Sequence, residues 1–202
     1  NANSDNYLLF DLFSQAEKEA NYNPDIEKAQ RISSQSKYKK SLLIDVSLHQ
    51  NAGANILQQL GIALAKANEY VNILGKNCLD KIYFKFSIGY NYFFEIAKIR
   101  AFRILWNNFI AQYQMNIQPY ILCESSLRNK SILDCENNLI RSTLEGAAAF
   151  IGDADAIFLH DYSKWNQDNS VMHETAYKQQ LVLKEESILD KFGDAMEGSY
   201  YV

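Results

Sequence analysis

Two segments decide how this chain folds: Asn51–Leu74, which reads NAGANILQQLGIALAKANEYVNIL, and Asn91–Trp106, which reads NYFFEIAKIRAFRILW. Each begins with a polar turn and continues with apolar residues at every third or fourth position. That spacing predicts an amphipathic helix with one buried face. Gly75 follows the first segment, where the C-cap of a helix is expected.

Short apolar stretches alternate with these helices along the chain. They predict four strands, at Ser41–Ser47, Lys81–Ser87, Tyr120–Glu124 and Ala156–His160, and Leu8–Phe13 is a candidate fifth strand. Further helices are predicted over Asn137–Gly152 and Ser170–Glu186. Strands that alternate with helices indicate an α/β fold with a parallel sheet. The pattern alone fits half of a barrel and a small flavodoxin-like sheet equally well.

The composition limits the classes of function. Of the 202 residues, 48% are hydrophobic and 22% are charged, and the net charge of −4 argues against a nucleic-acid partner. No apolar run has the length of a membrane span, so no membrane partner is expected. The cysteines are Cys78, Cys123 and Cys135, and they form no CxxC motif. A disulfide framework is therefore not expected, and the cytoplasm is the predicted compartment.

The N-terminal part of the chain differs from the rest. Residues 1–40 are polar and irregular, and we expect them to form a segment and linker ahead of one domain over 41–202. The chain begins at Asn1 without an initiator Met, so we expect it to be part of a longer gene product. The histidines, His49, His160 and His173, lie far apart with no ligand spacing, and no metal site is predicted.

Several motifs occur together in one order. Asn137–Gly152 reads NNLIRSTLEGAAAFIG, Gln180–Glu186 reads QLVLKEE and Gly198–Val202 reads GSYYV. With the two opening segments, they resemble successive blocks of the barrel domain of the methylmalonyl-CoA mutase family. The resemblance covers residues 41–202. It implies the second half of a TIM (β/α)8 barrel.

The residues that carry the family's chemistry are replaced in this chain. Catalytic members have Tyr-His a few residues before the AGAN motif, and the aligned positions are Ser47 and Leu48. His49 lies one place further, where alternation along a strand would turn it to the other face. Catalytic members read Arg-Thr-His-Cys-Gln in the third strand, where this chain has Tyr120–Glu124, YILCE.

Two further stretches depart from the catalytic chains. Met172–Tyr177 reads MHETAY where the family usually reads SARIAR, so both arginines are lost. Ser125–Ser131, SSLRNKS, and the VSLHQ that precedes NAGAN resemble the small, β-type subunit of two-chain bacterial mutases. The resemblance therefore implies a scaffold that is kept and a site that is lost.

The implied function is that of a non-catalytic partner. Such a chain pairs with a catalytic large subunit, and the holoenzyme uses adenosylcobalamin to interconvert methylmalonyl-CoA and succinyl-CoA. This chain itself is expected to have no catalytic, cofactor-binding or metal-binding residues, and it contains no DxHxxG cobalt-ligand motif. Two alternatives stay open: a divergent acyl-CoA mutase chain that is active when complete, and a small-molecule binding module at the barrel mouth.

Individual residues have simpler interpretations. The charged side chains of the second long helix are interpreted as a solvated face, with a subunit contact as the alternative; they are Glu95, Lys98, Arg100 and Arg103. Its large aromatic residues are predicted to lie in the core; they are Trp106, Phe109 and Tyr113. Asp153 and Asp155 bracket a turn and give little support for paired-carboxylate catalysis.

Half a barrel would be incomplete as a folded unit. Four parallel strands leave two edges with unpaired N–H and C=O groups, and one sheet face uncovered. Leu48 and Leu122 are expected to add apolar surface to that face. These residues alone are therefore predicted to form a homodimer.

Overall fold

A computed structural model describes residues 7–19, 24–35, 37–163, 170–189, 191, 193–194 and 196–202 of the chain. The helices are α1 (Ser14–Glu19), α2 (Ile26–Ser33), α3 (Ser47–Asn51), α4 (Ile56–Leu74), α5 (Tyr92–Ala111), α6 (Asn137–Ile151) and α7 (Ser170–Glu185). The strands are β1 (Leu42–Asp45), β2 (Ile82–Ile88), β3 (Ile121–Ser125) and β4 (Ala156–Phe158). A 3-10 helix spans Lys76–Lys81. The four predicted strands and the long predicted helices are confirmed, with ends that differ by a few residues.

The strands form one parallel sheet in the order β1-β2-β3-β4. Ile44 is in register with Phe84, and Phe84 is in register with Ile121. Each strand therefore pairs with the next one along the chain. A flavodoxin-like sheet has the order 2-1-3-4-5, with a point at which the winding direction changes. That alternative is wrong for the strands that the structure describes.

The hydrophobic core lies on one face of the sheet. Every second strand residue enters it, together with side chains of α4, α5 and α6. The Phe84 ring centroid lies 4.6 Å from that of Phe102 and 4.8 Å from that of Trp106, so β2 packs directly on α5. The prediction that Trp106 is a core residue is confirmed. The other face, called the second face below, carries Leu43, Asp45, Tyr83, Lys85, Leu122, Glu124 and Phe158.

Helix α4 begins and ends at specific capping residues. The Asn55 side chain accepts a hydrogen bond from the backbone N–H of Gln58, and the Gln58 side chain accepts one from that of Asn55, each at 2.9 Å. This reciprocal pair is a capping box. Gly75 ends the helix with φ of 78°, a conformation that favours glycine. The C-cap prediction is confirmed.

The N-terminal segment lies along the outer edge of β1. Leu8–Phe13 is not a strand, which corrects the candidate fifth strand. The backbone N–H of Leu8 nevertheless donates to the carbonyl of Lys40 at 3.0 Å, and that of Leu43 donates to Phe10 at 2.7 Å. The prediction of two open sheet edges is therefore wrong for β1, because this segment satisfies part of that edge.

Two short helices were not predicted from the sequence. Helix α2 lies in the segment described as irregular; Asp25 caps it, and Ala29 is fully buried. Helix α3 takes the place of the expected end of the first strand, because Val46 turns the backbone to φ −101° and ψ −8°. His49 therefore lies on a helix, and the argument from alternation along a strand does not apply to it.

Candidate functional site

A row of charged side chains crosses the second face near the carboxyl ends of the strands. Asp45 ends β1, Lys85 lies in β2, Glu124 lies in β3 and His160 follows β4. Lys85 Nζ lies 2.8 Å from Asp45 Oδ2 and 3.3 Å from Glu124 Oε2. His160 Nε2 lies 3.2 Å from the same Glu124 oxygen. One connected network therefore ties all four strands together.

The parallel register produces this row. Asp45 is directly beside Lys85, and Glu124 is directly beside Phe158. His160 lies two positions after Phe158, so alternation turns it toward the same face as Glu124. The signal in the sequence was one charged residue near the carboxyl end of each of three apolar strands. We missed the network because the sequence did not show which of these residues are neighbours.

The network fixes the charge of its members. Burial by itself would raise the pKa of Glu124, but the hydrogen bond from His160 and the charge of Lys85 outweigh it and lower that pKa to about 2. Burial would lower the pKa of Lys85, but the carboxylates of Glu124 and Asp45 outweigh it and raise that pKa. Glu124 is therefore a carboxylate and Lys85 an ammonium at neutral pH.

The positions aligned with the family's Tyr-His pair lie beside this network. Ser47 is buried, and its hydroxyl donates to Asp45 Oδ1 at 2.6 Å. Leu48 is partly buried and has no polar side-chain atom. His49 is directed elsewhere, since its Nε2 lies 3.1 Å from Glu17 Oε1. The structure brings Ser47 into the site and leaves His49 out of it.

His49 belongs to a separate cluster at the outer side of β1. Lys66 Nζ lies 2.8 Å from Glu17 Oε2 and 3.6 Å from Asp11 Oδ2. Burial raises the pKa of Asp11, although the charge of Lys66 opposes this. The Asp11 carboxylate also accepts the backbone N–H of Asp45 at 2.9 Å. This cluster joins the N-terminal segment to β1 and α4.

The third strand divides its side chains between the two faces. Ile121 and Cys123 are fully buried in the core, whereas Leu122 and Glu124 lie on the second face. Burial raises the pKa of Cys123 to about 12, so its thiol is not a nucleophile at neutral pH. Among the positions aligned with the Arg-Thr-His-Cys-Gln motif, Leu122 and Glu124 lie on the second face, and so does Tyr120, whose ring centroid lies 6.4 Å from that of Tyr83.

The loop after β3 is held down by α6. Lys130 Nζ lies 2.6 Å from Glu145 Oε2, and both side chains are only 2% exposed. Asn129 Nδ2 donates to Glu145 Oε1 at 2.6 Å. Burial raises the pKa of Glu145 to about 7, against the opposing charge of Lys130. Ser126 shares hydrogen bonds with the Gln50 side chain, so it has a structural role in this loop.

The charged residues of α5 correct the prediction of a solvated face. Lys98 is 1% exposed, and its ammonium lies 2.5 Å from Glu95 Oε2, 2.7 Å from the carbonyl of Ser87 and 3.1 Å from Gln59 Oε1. Two hydrogen bonds and one ion pair thus hold the buried ammonium. The two arginines pair within the chain, Arg100 with Asp194 and Arg103 with Asp153 and Asp155.

A cavity of about 840 Å³ lies between the first turns of α4 and α5. Apolar residues of both helices form its walls: Ile56, Leu57, Leu60, Phe94, Ala97 and Ala101. The buried Glu95–Lys98 pair and Gln59 lie at its base, and the exposed Arg128 lies at its rim. The cavity is on the helix side of the sheet, apart from the network on the second face.

The described residues form neither a metal cluster nor a membrane-spanning helix. Within the described parts of the chain, no three His, Cys, Asp or Glu residues are placed to hold a metal ion. The side chain of His173 lies outside the described residues. None of the described helices is long and apolar enough to cross a membrane.

The structure is that of an α/β domain in which each strand of a parallel sheet pairs with the next strand along the chain. Polar side chains lie together near the carboxyl ends of these strands. The family model for methylmalonyl-CoA mutase matches residues 26–202, and the chain belongs to this family. The match begins before residue 41, so the domain boundary after residue 40 stays a prediction.

Individual relatives support the same family. The chain is 35% identical over 164 residues to the methylmalonyl-CoA mutase small subunit of Porphyromonas gingivalis, covering 75% of this chain and 26% of the relative. It is 30% identical to the methylmalonyl-CoA mutase of Rhizobium meliloti, and the match covers 76% of this chain and 23% of the relative. It is also 30% identical to the methylmalonyl-CoA mutase of Escherichia coli, where the match covers 75% of this chain and 23% of the relative. The chain thus spans about a quarter of the length of these relatives.

Proposed function

We propose that this chain is the second half of a TIM (β/α)8 barrel in a non-catalytic small subunit of an adenosylcobalamin-dependent methylmalonyl-CoA mutase. Its role is to pair with and stabilise the catalytic large subunit in the cytoplasm. The holoenzyme would interconvert methylmalonyl-CoA and succinyl-CoA. The relative named as a small subunit supports this role, together with the replaced positions on the second face.

The strand order supports the half-barrel. Four parallel strands in consecutive order, with the crossover helices packed on one face, are half of what a closed (β/α)8 barrel requires. In such a barrel the second face is the interior, and the carboxyl ends of the strands carry the chemistry. The network of Asp45, Lys85, Glu124 and His160 would then lie inside the mouth of the barrel.

The observation that carries the non-catalytic assignment is that these side chains bind one another. Glu124 Oε2 lies 3.3 Å from Lys85 Nζ and 3.2 Å from His160 Nε2, and the Ser47 hydroxyl donates to Asp45. A catalytic group must be able to reach a substrate or cofactor atom. Here the polar groups are engaged across the strands, so their role is to hold the sheet together.

The residues aligned with catalytic positions do not fit adenosylcobalamin. The side chains of Leu48 and Leu122 have no polar atoms, and those of Ser47 and Glu124 are engaged within the network. We therefore assign this chain no cofactor and no step of the reaction. In the holoenzyme, the cofactor and substrate would belong to the catalytic subunit.

Co-expression of the full-length protein with its catalytic large subunit tests the proposal. We expect a 1:1 complex by light scattering, a higher melting temperature for the large subunit in that complex, and turnover of methylmalonyl-CoA only when the large subunit is present. The large subunit alone is the matched control. Failure to form the complex would refute the partner role.

The same experiment tests the enzymatic alternative, a divergent acyl-CoA mutase chain that is active when complete. Relatives named simply as methylmalonyl-CoA mutase favour that alternative. Turnover by the full-length protein without the large subunit, with adenosylcobalamin added, would establish it and overturn our proposal.

A further inference from the structure

The cavity between α4 and α5 is separate from the replaced catalytic positions. It is formed where the turn before α4, the loop after β2 and the loop after β3 meet. Its volume of about 840 Å³ lies within the range of roughly 300–1,000 Å³ that is typical of small-molecule sites. We propose that it binds a small amphiphile with an apolar chain and one carboxylate, such as a medium-chain fatty acid.

The walls favour an apolar ligand. Ile56 and Leu60 face the cavity from α4, and Ala97 and Ala101 face it from α5. The small size of the two alanines leaves the space open. Leu57 at the mouth is 80% exposed, so an apolar chain in the cavity would remove its side chain from water.

The base of the cavity requires no charged ligand. The Lys98 ammonium forms an ion pair with Glu95 Oε2 at 2.5 Å and donates to the carbonyl of Ser87 and to Gln59 Oε1, so its charge is balanced within the protein. Gln50 and Ser126 are hydrogen-bonded to each other. A ligand that penetrates to the base is therefore selected for its shape and apolar surface.

The rim supplies the specificity for an anion. Arg128 lines the cavity and is exposed, and its guanidinium forms no ion pair with any residue that the structure describes. It lies beside Gly53, since a Cβ atom at that glycine would be 3.8 Å from Arg128 Nη2. Arginine binds carboxylates through two parallel hydrogen bonds, so the carboxylate of the ligand would lie at the mouth.

Calorimetric titration of the full-length protein with dodecanoate tests the site. We expect saturable binding at one site, which the substitution Ala97→Phe weakens by roughly tenfold or more because the new ring fills the cavity. Ala101→Leu is a second filling variant, in case Ala97→Phe melts early. The matched control is Ala111→Phe, at the exposed end of the same helix, which retains the wild-type affinity.

The carboxylate is tested by comparing dodecanoate with dodecanol. Arg128→Gln weakens binding of dodecanoate several-fold and leaves dodecanol unchanged, while Arg31→Gln, at an exposed position in α2, changes neither. No saturable binding, or binding that both filling variants retain, would overturn the site. An equal effect of Arg128→Gln on both probes would overturn the carboxylate. Either failure leaves the partner-subunit proposal intact, because that proposal is tested by the mass and activity of the complex.

Discussion

Glu124 and His160 are bound to each other across neighbouring strands, with 3.2 Å between Oε2 and Nε2. Glu124 also binds Lys85, so one carboxylate connects side chains of β2, β3 and the segment after β4. In the aligned catalytic chains, the Glu124 position reads as a neutral glutamine. The charge of Glu124 is balanced inside the protein, so this residue has a structural role in the sheet.

The first prediction concerns Glu124 and pH. Its pKa falls from the ordinary value of 4.5 to about 2 in the folded protein. A difference of one in the pKa between the folded and unfolded protein corresponds to about 1.4 kcal/mol of free energy. The ionised group therefore contributes about 3 kcal/mol to the free energy of unfolding at neutral pH. A depressed pKa means that this stability is present above pH 4.5 and is lost as the pH falls toward 2. Glu124→Gln is expected to be destabilised by that amount at neutral pH.

Urea unfolding over a pH series measures this effect. The difference between wild type and Glu124→Gln should shrink steadily as the pH falls from 4.5 toward 2. Glu186→Gln, at an exposed position after α7, is the matched control and should change the free energy of unfolding by less than about 0.5 kcal/mol. A difference that is independent of pH would show that the charge of Glu124 has no role.

The second prediction concerns the buried pair Lys130–Glu145. Burial raises the pKa of Glu145 from 4.5 to about 7, so its contribution to stability is greatest below pH 4.5 and is lost as the pH rises through 7. Lys130→Met removes the only ammonium bound to this carboxylate in the described contacts. We expect a cost of roughly 1 kcal/mol at about pH 5, where Glu145 is protonated. The cost should rise by roughly 1–2 kcal/mol at about pH 8, because wild-type Glu145 is ionised and paired there, whereas without Lys130 its pKa rises further and the buried carboxyl takes up a proton.

Unfolding of Lys130→Met at these two pH values provides the measurement. The matched control is Lys178→Met in the exposed i,i+4 pair with Glu174, which should have a small effect at both pH values. Equal costs of Lys130→Met at both pH values would contradict the raised pKa of Glu145.

The third prediction separates two asparagines that look alike in the sequence. Asn55 caps α4 through its side chain, whereas Asn91 precedes α5 without a side-chain capping hydrogen bond. Asn55→Ala should therefore lower the free energy of unfolding by about 1 kcal/mol. Asn91→Ala should change it by less than about 0.5 kcal/mol. Similar losses in urea unfolding for the two variants would contradict this assignment of the caps.

The sequence predicted the elements better than it predicted their contacts. The long helices α4 and α5 and the strands were predictable because their apolar residues repeat with clear periods. Helix α2 was missed although Asp25 caps it and Ile26, Ala29 and Ile32 recur at every third position, because a helix of 8 residues is too short for its period to stand out. Helix α3 was missed because the apolar stretch was read as a strand through Ser47. The Asp45 side chain accepts from the backbone N–H of Ser47 at 2.9 Å, and this turn ends the strand early.

In the candidate site, too, the sequence pointed to individual residues but not to the contacts between them. Ser47 and Leu122 were aligned with catalytic positions through the motifs around them, and that assignment stays a prediction. The pairing of Lys85 with Glu124 and of Glu124 with His160 depends on strand register, which the period alone does not determine. The burial of Lys98 was missed because its partners Gln59 and Ser87 lie on two other elements.

The last prediction concerns assembly of the 202-residue chain by itself. The N-terminal segment satisfies part of the β1 edge, and it also covers the second face at Tyr83, whose hydroxyl donates to the carbonyl of Leu8. The outer edge of β4 and the rest of the second face are the surfaces that a missing half-barrel would cover. Phe158 lies in β4 on that face and is 50% exposed. Exposed strand edges with apolar side chains pair readily with another chain. We therefore expect a homodimer at micromolar concentration, with this surface buried.

Phe158→Lys tests that arrangement, because a charged side chain at this edge opposes pairing between strands of two chains. Light scattering should show a dimer for the wild type and a monomer, or a dimer at least roughly tenfold weaker, for Phe158→Lys. Tyr177→Lys, at an exposed position of α7, is the matched control and should remain dimeric. A wild-type chain that is a monomer with a cooperative melt would show that the second face needs no cover. A dimer that survives Phe158→Lys would place the interface on another surface.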